Sequence, residues 1–238
     1  MKALILQGPK KPFEIGEVPD PVAGPGEAVA RVLACGSGLT IPHIKAGRIA
    51  AKFPRIIGHE ITGEIVDVGA GGGLGIHQVM MAKWVHARVV AVDTVASKLD
   101  ACRKAGAEHV VDASSCDVTQ ALLDLTQGRG VDVSIDYVSS TATLEAGAKA
   151  LGRRGRLVTL GGAGKSFQVS SLDMLLKEQD LLGSRYVTRS EILDTLDLVA
   201  RREVWPIVTE VRAMEQAEAL HERLERGEVT GRAALLVS

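Results

Sequence analysis

Cysteine is scarce and scattered: Cys35, Cys102 and Cys116 lie far apart, and none belongs to a Cys-x-x-Cys pair. A four-cysteine zinc knot is excluded, and a disulfide framework has nothing to build on. An excess of one charge is missing too. The 28 Lys plus Arg against 29 Asp plus Glu leave a net charge of −1, which argues against a nucleic-acid partner. No apolar run approaches the roughly 18 residues of a spanning helix, and the apolar stretch at the start is too short for a secretory signal. A cytoplasmic protein with no membrane partner is the expectation. Aromatics are only 3% of the chain, whereas glycine is abundant at 26 of 238 residues, above the average of about 7%. With 46% hydrophobic and 24% charged residues, disorder is excluded as a description of the whole chain. The length suffices for one large or two modest domains.

The glycines gather where strand hands over to helix. Residues 1–68 carry short alternating or β-branched runs, Glu27 to Leu33 and Ile61 to Val68, punctuated by Pro19, Pro21, Gly24, Pro25 and Gly26. This is antiparallel β and turn composition. Past Gly69 the pattern changes. Ile76, Val79, Met80 and Trp84 repeat at helical spacing, Arg88 to Asp93 reads as a buried strand ending in a carboxylate, and Ala96 to Lys104 reads as a helix stopped by Gly106. Strands at His109 to Val111, Val131 to Asp136 and Arg156 to Leu160 alternate with helices at Val118 to Thr126 and Thr141 to Leu151. Amphipathic helices at Arg189 to Arg201 and Met214 to Arg226 precede a last strand at Arg232 to Val237. Alternation of this kind implies a parallel sheet covered on both faces.

Two constellations carry chemistry. Val66 to Gly75 couples a strand to a helix through glycines and reads A-x-G-x-x-G from Ala70, so backbone N–H groups can approach a pyrophosphate at the helix N-terminus. Alone, such a loop serves tight packing equally well. Asp93 follows Gly75 by 18 residues, near the spacing of about 20 at which a carboxylate accepts from the adenine-ribose hydroxyls. A carboxylate there also repels a 2′-phosphate, which favours NAD over NADP. The second constellation is Cys35-Gly36-Ser37 with Gly58-His59-Glu60. Thiolate, imidazole and carboxylate are the ligands of a catalytic zinc, which needs three protein ligands and one open position. Their spacing is not diagnostic, and the residue types fit a buried cysteine beside a satisfied histidine as well. His43 and Lys45 read as a solvated loop, His77, His86 and His109 as surface or capping residues, and Arg153, Arg154 and Arg156 as a solvated turn.

Cys35-Gly36-Ser37, Ile57-Gly58-His59-Glu60, Gly63-Glu64-Ile65-Val66, Gly72-Gly73-Leu74-Gly75, Asp93 with Lys98, Gly130-Val131-Asp132 through Asp136, Gly161-Gly162 and Gly231-Arg232 form a specific set. On them the chain resembles the medium-chain, zinc-dependent alcohol dehydrogenase family over nearly its entire length. The resemblance implies an α/β protein: a truncated GroES-like β-domain in residues 1–68, a doubly wound parallel-sheet (Rossmann) nucleotide domain in 69–206, and a C-terminal return to the catalytic domain in 207–238. It implies catalytic zinc on Cys35 and His59, with Glu60 close to the metal and the one nearby candidate for third ligand. NAD is the implied cofactor, and a small alcohol, or the matching aldehyde or ketone, the implied substrate. Ser37 would bond the substrate alcohol and start a proton relay. Thr40 would pass a proton on where some members carry histidine, while Gly38 stands where the family often has Asp. Gly71, Gly72, Gly73, Leu74 and Gly75 would cradle the pyrophosphate, Asp93 and Lys98 hold the adenosine ribose, Arg232 approach the pyrophosphate, and the backbone at Leu160 and Gly161 touch the nicotinamide. Homo-oligomerisation is a further expectation from the family. The departure is an internal deletion: the strand of Gly63 to Val68 passes at once into the nucleotide loop, dropping the third zinc ligand and much of the substrate pocket. A zinc-free quinone or enoyl-type reductase of the same superfamily, which Ala70 favours, and a catalytically impaired NAD-binding remnant are the alternatives.

Overall fold

The computed structural model describes residues 1–22, 29, 31–38, 40–58, 60–64, 74–162 and 166–237, the side chains of Arg31 and of residues 60–64 excepted. They form two compact units, Met1–His77 with Val187–Ser238, and Gln78–Tyr186.

In the first unit the described strands of residues 1–68 pair antiparallel, as their composition predicts, whereas the two strands nearest the C-terminus pair parallel with each other. Strand β1 (Lys2–Leu6) pairs antiparallel with β2 (Phe13–Glu17) and with the short β4 (Arg55–Ile56). The second sheet runs β11 (Val208–Ala213), β12 (Arg232–Leu236), β3 (Arg31–Ser37), β5 (Glu60–Glu64). The C-terminal strand β12 lies against β3 with Leu235 opposite Cys35 and Ala233 opposite Ser37. The end of the chain thus completes the sheet that carries the candidate ligand. Over it lies α8 (Ala217–Glu225), entered through a 3-10 turn at Met214–Gln216. Ala217 and Leu220 of this helix join Leu4, Met214, Val229, Ala233 and Leu235 in one core. Burying a side chain such as Leu220 contributes about 2 kcal/mol. A second core of Leu6, Ile41 and Ile57 anchors α1 (Thr40–Lys45). His43 and Lys45 therefore sit on a short helix rather than in the loop expected for them; buried Ile41 and Pro42 hold that turn down. The remaining helix of this unit, α7 (Arg189–Ala200), starts at a capping box of Thr188 and Glu191.

Every strand pair of the second unit is parallel. β6 (Val90–Asp93) pairs with β7 (His109–Asp112), and β8 (Val131–Asp136), β9 (Leu151–Thr159) and β10 (Asp180–Gly183) form a sheet in the order β10-β9-β8. Helices alternate with them: α2 (Leu74–Trp84, which begins in the first unit), α3 (Ala96–Ala105), α4 (Val118–Leu125), α5 (Thr141–Ala150) and α6 (Ser171–Lys177). This is the α/β alternation read from the sequence. Local chemistry sets the ends: Asp117 accepts from the Gln120 amide, Ser140 forms a capping box with Thr143, and Gly106 closes α3 at φ +114. Gly147 lets α5 close on the sheet, since a Cβ there would lie 2.6 Å from Ser134 Oγ.

Among the described residues the strands of the second unit fall into two sheets, so β6 and β8 each keep one edge with no described partner. Val92 is 42% exposed, and β6 is not the fully buried strand that its apolar run suggests. A parallel strand is buried when strands flank both edges and helices cover both faces, and among the described residues β6 has one flanking strand. The three arginines expected in a turn lie within β9, where Arg153 and Arg154 both reach Glu178. Leu172, Leu175 and Leu176 of α6 are exposed. No described helix is long and apolar enough to cross a membrane.

Candidate active site

Strand β3 delivers Cys35 and Ser37. The Cys35 sulfur lies against Gly58, whose backbone has φ +129; a Cβ at that position would stand 2.8 Å from Sγ. Glycine is required there by both the conformation and the contact, and it brings the thiol against the backbone that leads directly into residue 59. His59 itself lies outside the described residues. Glu60 is placed as backbone, opposite Gly36 in the pairing of β3 with β5. Thr40 opens α1 and is exposed. Among the described residues no three of His, Cys, Asp and Glu gather to hold a metal. Cys35, with room made for its sulfur by Gly58, suits a thiolate ligand; the rest of the implied set lies in side chains outside the described ones.

Ser37 is only 2% exposed, and its Oγ lies 3.1 Å from Nε2 of His221 on α8. His221 is equally buried, its Nδ1 has no hydrogen-bond partner among the described residues, and the Phe13 ring packs edge-on with centroids 5.0 Å apart. Lys45 Nζ stands 5.0 Å from the Phe13 centroid and pairs with Glu218, which also accepts from the Phe13 amide at 3.3 Å. Burial first, and the Lys45 charge second, push the His221 imidazole down to about 4, so the ring is neutral at physiological pH. The sequence reading passed over His221. Its signal was its place on the apolar stripe of α8, with Ala217, Leu220 and Leu224 at helical spacing.

Asp93, Leu160 and Gly161 lie at the carboxyl ends of parallel strands, where open α/β sheets bind ligands. Asp93 ends β6; its Oδ1 accepts from the Val95 amide at 3.0 Å, and Oδ2 has no described partner. Lys98 sits half-buried in the first turn of α3. After β9 the Leu160 amide donates to Asp136 O and the Gly161 amide to Ser139 Oγ, both at 3.0 Å. Ser139 Oγ also meets Thr159 Oγ1 at 2.6 Å, while Asp136 Oδ1 accepts from the amides of Val138 and Ser139 at 2.9 Å each. Asp136 Oδ2 is buried and unpartnered among the described atoms. This carboxylate and hydroxyl scaffold under the Leu160–Gly161 peptide was not foreseen. Leu74 and Gly75 begin α2, and Gly71, Gly72 and Gly73 lie outside the described residues. Arg232 opens β12 in the first unit; burial pushes its guanidinium down to about 10, still cationic at neutral pH. His77, expected as a capping or surface residue, accepts the Ile207 amide through Nε2 at 2.8 Å.

A family model described as zinc-binding dehydrogenase matches residues 73–201. The chain is 33% identical over 173 residues to an NAD-dependent alcohol dehydrogenase of Sulfurisphaera tokodaii, covering 72% of this chain and 50% of that one. Among solved structures, the alcohol dehydrogenase of the archaeon Aeropyrum pernix superposes with a TM-score of 0.85 at 22% identity, covering 100% of both chains. A mycobacterial quinone oxidoreductase superposes with a TM-score of 0.80 at 18% identity, again covering 100% of both. The chain belongs to the zinc-binding, medium-chain alcohol dehydrogenase family. It spans about half the length of the curated relatives it matches.

Proposed function

We propose that the chain is an NAD-dependent oxidoreductase that interconverts a small alcohol and its aldehyde or ketone, with a catalytic zinc on Cys35, His59 and Glu60. The observation that carries this reading is the loop system at the carboxyl ends of β6, β8 and β9. There Asp93 keeps one carboxylate oxygen without a described partner, and the Leu160–Gly161 peptide is pinned by Asp136 and Ser139. Asp93 would accept from the adenosine-ribose hydroxyls, with Lys98 beside the same sugar. The fixed Leu160–Gly161 backbone would bear on the nicotinamide, and Arg232 would supply positive charge for the pyrophosphate.

In the first unit Cys35 provides the thiolate, for which Gly58 leaves room. Bound zinc would supply Lewis-acid polarisation of the substrate oxygen. Ser37 would hydrogen-bond that oxygen, giving its proton to it in carbonyl reduction and, in alcohol oxidation, accepting the alcohol's proton as its own passes on, for which Thr40 offers a hydroxyl at the start of α1.

Elemental analysis of protein purified without chelator tests the metal. About one zinc per chain, lost in Cys35→Ser, is expected for a site of this donor set. No zinc in either protein overturns the metal assignment. It would favour the zinc-free quinone-type reductase.

A further inference from the structure

The buried contact between Ser37 and His221 carries an inference beyond the metal and the cofactor. It rests on the reading of Ser37 as the hydroxyl that meets the substrate oxygen. We propose that His221 is a positioning residue for Ser37: its Nε2–H donates to Ser37 Oγ and leaves the serine's own proton for the reacting oxygen. A neutral imidazole has one N–H and one bare lone pair, so the environment selects the tautomer. Were the proton on Nδ1, a buried N–H would face no described acceptor and bear its full desolvation penalty. With the proton on Nε2, the N–H is satisfied by Ser37 at 3.1 Å and only a lone pair stays bare.

The ring is held for this task. α8 places it over the face of β12 and β3 on which Ala233 stands opposite Ser37, and Phe13 closes its side edge-on. Lys45 and Glu218, the charged groups nearest this corner, are committed to each other. A serine hydroxyl rotates to suit its surroundings. Accepting one N–H from a fixed ring restricts that rotor and directs its remaining donor. His221 is therefore not a base that takes the substrate proton; it orients the hydroxyl that meets the reacting oxygen.

The test uses the full chain with His221→Gln, which keeps an N–H donor, and His221→Leu, which removes it. Nitrogen-15 imidazole spectra at neutral pH are expected to show a neutral ring protonated at Nε2, with that resonance moving in Ser37→Ala. A ring protonated at Nδ1, or one indifferent to Ser37→Ala, overturns the proposal. In alcohol oxidation, His221→Leu is expected to lower kcat by about 30-fold with KM little changed, and His221→Gln to stay within about 3-fold of wild type. Equal losses in both variants, or an unchanged kcat in His221→Leu, would show a role in packing alone and overturn the positioning role. An inactive wild-type chain would overturn the dehydrogenase reading, and the spectra would still decide the direction of the Ser37–His221 bond.

Discussion

Gly161→Ala is expected to cost roughly 2–3 kcal/mol of stability and to weaken NAD binding about tenfold or more. The added methyl would stand 2.5 Å from Tyr137 O and 2.7 Å from Val138 O. Neither carbonyl can retreat cheaply, because Asp136 Oδ1 holds the amides of Val138 and Ser139 that follow β8. The Leu160–Gly161 peptide must move instead, away from Ser139 Oγ and from the position proposed for the nicotinamide. Gly162→Ala is the internal control, since no described atom lies within 4 Å of a Cβ there. Urea titration and NAD calorimetry on both variants read the effect. A Gly161→Ala protein as stable and as NAD-competent as Gly162→Ala would remove the case for a close-packed nicotinamide peptide.

Acidification is expected to have the second large effect. His221 titrates at about 4 in the folded chain, below its ordinary value of 6.5. The unfolded chain therefore binds the proton first as pH falls, and stability is lost between those two values. Above pH 6.5 both states are neutral at this residue and its contribution is complete. The full loss on reaching pH 4 is about 3 kcal/mol, of which about 2 kcal/mol falls between pH 7 and pH 5. Urea midpoints at those two pH values should separate wild type from His221→Gln by about that amount, the variant being the flatter. Parallel slopes for the two proteins would mean that the burial of His221 does not govern the acid limb.

Elements were legible where local chemistry and period agree. β8 runs Val131–Asp136, the bounds read from the sequence, where Val131, Val133 and Ile135 alternate with polar residues, and α3 stops at Gly106 because only glycine adopts φ +114 there without strain. Short elements were not legible: α1 spans six residues, too few for a helical period, and β10 is four residues directly after a helix. Strand partnership is non-local, so an apolar run such as Val90 to Asp93 did not reveal that β6 has one described neighbour. The site divides along the same line. The proposed roles of Cys35, Ser37, Asp93 and Gly161 rest on short motifs of neighbouring residues and on the family those motifs resemble. His221 lies 184 residues from Ser37, and Ser139 lies 20 residues from its partner Thr159, so only folding brings each pair together.

The most direct test of the proposed activity is hydride transfer itself, followed as NADH appears when zinc-loaded chain is mixed with NAD and a panel of primary and secondary alcohols. Wild type is expected to form NADH with at least one alcohol, and Cys35→Ser to lose roughly two orders of magnitude or more in rate. No NADH from any alcohol, or an undiminished rate in Cys35→Ser, would contradict a dehydrogenase built on the Cys35 site.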